Sequence, residues 1–386
     1  MVTQQQQVSQ RIGALERRGN DILLGHAFAQ QQLGLSKTLD GQAGEPLLQR
    51  TLLAVEQAAL AQRQKASTKL ELLRAKVSTN LHLLIEEEIE SQLNRLDNLY
   101  TEVLGIEDAA IALIDQLASK GASINRLEPL VKHLNWFSRE LVTLVNQSPH
   151  RQDDNERAVK IDTPALALRY LGLEKLKWTL PKLALRHWLP HSSEPFPLLK
   201  RKLGEAALGR AACAAKLAEL EGQDVYAAHV GALFMELGRV VLTRLYLRIF
   251  QQIWQHQVSL AHGEGKKALH DALITIEPDP LYLRNLFCER ALEVTRRLIE
   301  KMGLEHLNLN AAFDDIALVE PQQLSGAAKT LVQADGYCQI HWLQQHQLLT
   351  LGERQLWYAY LGLKNSQLTH LASVNFAALA QQIDAK

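Results

Sequence analysis

The stretch at residues 224–250, DVYAAHVGALFMELGRVVLTRLYLRIF, decides what kind of fold this chain can adopt. Read at 3.6 residues per turn, Tyr226, Val230, Leu233, Leu237, Val241, Leu245 and Ile249 fall on one helical face. The positions beside that line, Ala232, Phe234, Val240 and Leu242, are apolar as well. A stripe that broad predicts a helix surrounded by other helices, not one lying on a surface. Gly231 and Gly238 lie on one side of it and predict a place where another backbone comes close.

Upstream, 198–220 is an alanine-rich helix whose small side chains favour close packing, and Glu221-Gly222 ends it. Prolines at 181, 190, 195 and 197 make 190–197 a rigid connection. Before it, Asp162 or Thr163 is a natural N-cap with Pro164 at the first helical position, and 153–160 reads as a charged loop. Between Pro46 and Pro129 there is no proline. Leu70, Leu73, Val77, Leu81, Leu84 or Ile85, Ile89, Leu93 and Leu96 recur every three to four residues there. The repeat slips from strict heptads, which favours packing within one bundle; coiled-coil dimerisation, giving a homodimer, is the alternative. Residues 1–45 are glutamine-rich, with weak helical periodicity through Ile12, Leu15, Ile22 and Leu23.

Downstream, Glu277-Pro-Asp-Pro280 breaks the chain before another helix at 281–302, and Gly336, Gly352 and Gly362 mark later stops. No period-two alternation is sustained over several strands. The expected fold is all-α, a multi-helix bundle with N- and C-terminal helical extensions.

Composition narrows the function classes. Of 386 residues, 47% are hydrophobic, enough for a large core, and Lys+Arg and Asp+Glu both count 42. A balanced chain offers no global electrostatic case for nucleic acid or an anionic membrane. The N-terminus lacks a signal-peptide pattern, and no uninterrupted run of about 18 apolar residues occurs, so a cytoplasmic protein is expected. Cys213, Cys288 and Cys338 form no CxxC pair, and each is expected to be a small buried side chain.

The middle of the opening stretch carries a motif. Gly231-Ala-Leu-Phe-Met235-Glu236-Leu-Gly238 resembles the signature of the HD superfamily, in which two apolar residues precede a His-Asp doublet and an apolar residue and a glycine follow it. Leu144-Val145-Asn146-Gln-Ser-Pro149 and the turn Leu171-Gly172-Leu-Glu-Lys-Leu176 resemble two further elements of one branch, the HDOD (HD-related output) domain. That branch is a non-catalytic relative of the HD and HD-GYP phosphohydrolases. The resemblance covers roughly residues 70–262 and implies an HDOD-type helical core there, an N-terminal helical extension over 1–69 and a C-terminal helical region over 263–386. It also implies a cytoplasmic signalling or regulatory protein that works through unidentified protein partners, without catalytic residues or cofactor.

Met235 and Glu236 stand where hydrolytic relatives place two metal ligands. A thioether is a poor ligand for hard cations, so no metal is expected. A glutamate facing the bundle interior must be paired, and Arg201, Lys202 and Arg210 on the preceding helix are the candidates, within about 4 Å. The alternative is a surface glutamate. His187, His191, His229, His256, His262 and His270 offer other ligands, but Pro190 breaks the helix between the first two, and His229, alone on its turn, is expected to be solvated or capped. No Gly-x-Ser-x-Gly elbow, Walker loop or Gly-x-Gly-x-x-Gly fingerprint is present. Two rival functions stay open: a divergent metal-dependent phosphohydrolase, and a small-molecule sensor using the vacated pocket beside Met235.

Overall fold

The computed structural model describes residues 4–35, 54–147 and 161–384. All regular structure among them is helical: α1 (Gln4–Leu24), α2 (His26–Gln32), α3 (Ala54–Leu93), α4 (Leu96–Asn98), α5 (Asp108–Gln116), α6 (Ile124–His133), α7 (Asn135–Gln147), α8 (Pro164–Trp188) and α9 (Leu199–Glu221). The second half holds α10 (Val225–Phe234), α11 (Leu237–Gly263), α12 (Lys267–Leu273), α13 (Pro280–Met302), α14 (Asn310–Leu318), α15 (Gly326–Gln345), α16 (Leu351–Tyr360), α17 (Asn365–Leu371) and α18 (Phe376–Asp384). A π-helical turn at Leu99–Leu104 and a 3-10 turn at Pro321–Gln323 complete the set.

Local chemistry sets many of the ends. The Thr163 side chain accepts from Leu166 N at 3.4 Å with Pro164 at the first helical position, and Gly222 closes α9 at φ 66°. Gly172, at φ 72°, breaks α8 in two, the conformation that the Leu-Gly-x-x-x-Leu turn requires. Asn146 closes α7 by bonding Ile161 in both directions, donating to its carbonyl at 2.8 Å and accepting from its amide at 3.1 Å. The charged loop at 153–160 and the apolar positions Leu47, Leu48 and Leu52 lie outside the described residues.

The stretch at 224–250 is one apolar stripe but two helices. Every stripe residue is at most 7% exposed, so each contributes a burial of about 1.5–3 kcal/mol. The chain breaks between α10 and α11 at Met235–Glu236, which corrects the reading of an uninterrupted helix. There Glu236 N donates to Leu233 O at 3.3 Å, a tightened turn. Gly238 N, in the first turn of α11 where amides lack an intrahelical partner, donates to Thr295 Oγ1 on α13 at 2.9 Å. The hydroxyl passes its own proton to Ala291 O at 2.8 Å. Gly238 permits this approach: a Cβ there would sit 1.9 Å from Ala291 O. Gly231 instead meets the side chains of Leu309 and Leu331, not a backbone.

The bundle forms around this pair. α9 packs on α10, α15, α17 and α18, and α11 packs on α3, α12 and α13. One apolar cluster runs from Leu23 to Leu371, so residues beyond 262 share the core of those before it. The positions proposed as segment limits fall within helices: α3 runs through 69–70, and 262–263 is the last turn of α11. Val77, Leu81, Ile85, Ile89 and Leu93 of α3 are buried within the bundle. A second cluster joins Ile12, Leu15 and Ile22 of α1 to Ile340, Leu343 and Trp357, so the glutamine-rich start is packed. Cys213 and Cys338 are buried, whereas Cys288 is exposed, against the expectation of three buried thiols. By length and composition one helical stretch, Val225–Gly263, could cross a membrane, but 78% of its most apolar window is buried against other helices.

Replacing Gly238 with alanine forces α13 away from α11, and chemical denaturation is expected to show a loss of about 3 kcal/mol. Gly13→Ala, where a Cβ meets nothing within 4 Å, is expected to be neutral or stabilising by about 0.5–1 kcal/mol under the same conditions.

Candidate functional site

The break between α10 and α11 turns Glu236 into the bundle, where it is 0% exposed. Across from it, α9 presents Arg210, 1% exposed, from among Ala206, Ala207, Ala211 and Ala214. Their small side chains let α10 and α15 approach α9 closely enough to surround the guanidinium. Arg210 Nη1 donates to Glu236 Oε2, and Arg210 Nε forms an ion pair with Asp335 Oδ1 of α15 without hydrogen-bond alignment. Arg239, one turn into α11, places Nη1 3.5 Å from Glu236 Oε2, and its Nε donates to Asn20 Oδ1 of α1 at 3.0 Å. Two cations thus face two carboxylates, and the group is neutral. Glu236 Oε1 has no hydrogen-bond partner.

Of the three candidate partners of Glu236, the structure brings only Arg210 to it. Arg201 binds Glu205 on its own helix at 2.7 Å, and Lys202 donates to the Ile22 carbonyl of α1. Glu236 is not a surface residue. Asp335 and Arg239 are functional neighbours that the sequence reading missed. Arg239 stands three positions from Glu236 on a helical stretch, which is a usable signal. Asp335 comes from a helix far along the chain, and no local pattern points to it. Burial opposes the charge on Arg210, but Glu236 and Asp335 outweigh it and hold the guanidinium protonated.

This donor set does not fit a divalent cation. The carboxylate at the second doublet position is taken by a guanidinium, the first position offers a thioether, and a further positive charge stands in the centre. Among the described residues no group of three His, Cys, Asp or Glu side chains is placed to hold a metal. His187 stacks on Trp136 at 4.4 Å between ring centroids, and His262 lies 5.6 Å from His270. The cavities of about 860 and 360 Å³ are lined by neither Met235 nor Glu236, and the Arg210 side chain occupies the space beside Glu236.

His229, expected to be solvated or capped, is buried on α10 with its ring edge-on to Trp178 at 5.1 Å. Its Nε2 has no hydrogen-bond partner. Burial first, and the nearby Lys182 second, push its pKa down to about 3, while the Ala211 backbone pulls the other way. The ring is neutral at pH 7.

Comparison with known proteins follows from this geometry. Residues 105–273 match the HDOD domain family. Two crystal structures are similar in fold. One, from Shewanella amazonensis SB2B, is provisionally named a metal-dependent phosphohydrolase; it is 13% identical, with a TM-score of 0.45, covering 80% of this chain and 99% of that one. The other is an HDOD domain protein of unknown function from Geobacter sulfurreducens, 18% identical, with a TM-score of 0.45, covering 77% of this chain and 98% of that one. No curated protein matches.

Arg210→Met strands Glu236 in the core, and urea unfolding is expected to register a loss of about 3–5 kcal/mol. Replacing both residues, R210M/E236M, is expected to recover much of that loss, giving a large coupling in the double-mutant cycle. His229 yields a pH dependence of known sign. Its folded pKa lies below its unfolded value, so the unfolded chain takes up the proton first and stability falls as pH drops from about 6.5 toward 3. Between pH 7 and pH 5 the wild type is expected to lose about 2 kcal/mol more than His229→Leu in paired denaturation curves.

Proposed function

We propose that the HDOD domain carried by this chain is a regulatory module without hydrolytic chemistry, acting in the cytoplasm through protein partners. The observation that supports it is the Arg210 guanidinium between Glu236 and Asp335. Hydrolysis of the HD type needs a cation that lowers the pKa of bound water and polarises a phosphoryl oxygen. Here a side chain supplies the positive charge. It is covalently held, has no open coordination position and cannot present water as a nucleophile. A divalent ion entering the centre would have to displace a buried arginine and meet Arg239 beyond it.

A partner-binding role is supported by α3. Val77, Leu81, Ile85 and Ile89 pack it into the bundle, while the adjacent Leu83 and Leu84 are 59% and 42% exposed and offer an apolar spot to a partner. A packed bundle of this kind can transmit occupancy of such a face by small shifts between helices. The unpaired thiols agree with a reducing compartment.

Purified protein supplied with manganese, iron or zinc is expected to hold none of them in stoichiometric amount by mass spectrometry. Turnover of p-nitrophenyl phosphate, nucleotides and cyclic dinucleotides is expected to stay at the level of a Glu236→Gln control. A bound transition metal near one per chain, with hydrolysis that this variant abolishes, would reinstate the phosphohydrolase reading.

A further inference from the structure

A second cavity, of about 360 Å³, lies between α7, α8 and α9, apart from the charged centre. Its apolar lining is Leu144 from α7, Trp178, Leu183, Leu185 and Leu189 from α8 and its end, and Leu208 from α9, with Gly204 leaving part of the α9 wall bare of a side chain; the exposed Gln147 amide joins Thr143, Thr179 and the ions in its polar lining. One charged group stands in this space without a counter-ion. Lys182 makes no hydrogen bond or ion pair with any described residue. The other ions at the edge, Arg186 and Glu140, are paired with each other and are 37% and 43% exposed. The hydroxyls of Thr143 and Thr179 donate to carbonyls of their own helices, Arg139 at 2.9 Å and Lys175 at 2.7 Å. His229, behind Trp178, is neutral and adds no charge. Among the described residues the cavity thus carries one net positive charge, on a single ammonium.

A partly buried lysine with no counter-ion among the described residues is costly, and burial lowers the pKa of Lys182. Such a group is retained at no loss when a ligand supplies the missing anion. Binding cavities share this pattern of apolar walls and a few orienting polar groups, and at this volume the ligand is small. The single point charge also selects the head group. A phosphate dianion calls for several donors or a free guanidinium fork, and the one fork here is engaged by Glu140. A carboxylate needs one cation.

We propose that this cavity binds a small organic acid, its apolar body against Trp178, Leu185 and Leu208 and its carboxylate on Lys182 Nζ. The site does not depend on whether the domain hydrolyses anything, because it shares no residue with the Arg210 centre. Calorimetric titration of the full chain with octanoate and 4-phenylbutyrate tests it, with octanol and octyl phosphate as head-group controls. The wild type is expected to bind at least one of the two acids saturably. Lys182→Met keeps the volume and removes a desolvated charge, so it should keep the wild-type circular dichroism while binding that acid at least tenfold more weakly, with octanol unaffected. Leu208→Trp, which fills the cavity, should abolish binding of the acids and of octanol. Absence of saturable acid binding to the wild type, or equal affinity in Lys182→Met, would overturn the proposal. Tighter binding of octyl phosphate than of either acid would overturn the carboxylate assignment in favour of a phosphate head.

Discussion

Burying a charge in an apolar bundle is tolerable only when an opposite charge reaches it, and this requirement organises the centre of the molecule. Glu236 enters the core because the chain breaks between α10 and α11. Once there it needs a cation held at hydrogen-bond distance, and Arg210 provides it from α9. The guanidinium in turn draws Asp335 of α15, and Arg239 ties the Glu236 carboxylate to Asn20 of α1. Four helices that are distant in sequence therefore meet on one neutral cluster. A pair of this kind adds little net stability compared with hydrophobic residues of the same shape, but it penalises any arrangement that separates its members.

A divalent cation in a carboxylate-lined site and a guanidinium between carboxylates satisfy the same electrostatic demand. They differ in chemistry: the ion has exchangeable coordination positions and activates water, whereas the arginine is fixed, saturated with donors and always protonated. Met235, beside the charged pair, packs partly buried against the core.

A backbone contact supports the arrangement from the other side. Gly238 lets α13 approach until Thr295 can take the Gly238 N–H, which would otherwise be an orphan at the start of α11. The break that delivers Glu236 to the core is thereby satisfied by a hydroxyl from a neighbouring helix, and an interruption in the middle of an apolar stripe costs no unpaired buried amide there. The bland residues around the motif, a glycine and a threonine, matter as much to its geometry as the charged ones.

The amino-acid order alone determined the helical class, the buried character of 224–250, a cap at Asp162 or Thr163, the stop at Gly222, and the need for a cation should Glu236 face the core. These properties follow from periodicity and from the cost of burying a charge, both of which are written locally. It could not say which of Arg201, Lys202 and Arg210 would answer, because that depends on the rotation of α9 against α10 and on a break that an unbroken apolar pattern conceals. Asp335 was illegible for a stronger reason, since its approach is decided by how α15 docks on α9, an interaction between segments with no shared local signal. Lys182 gave no warning either: a lysine in an amphipathic stretch reads as solvated, and only the packing of α7, α8 and α9 places it, partly buried, beside a cavity. Tertiary structure decided these points because electrostatic partners and cavities are properties of surfaces brought together, whereas helices and caps are properties of neighbours along the chain.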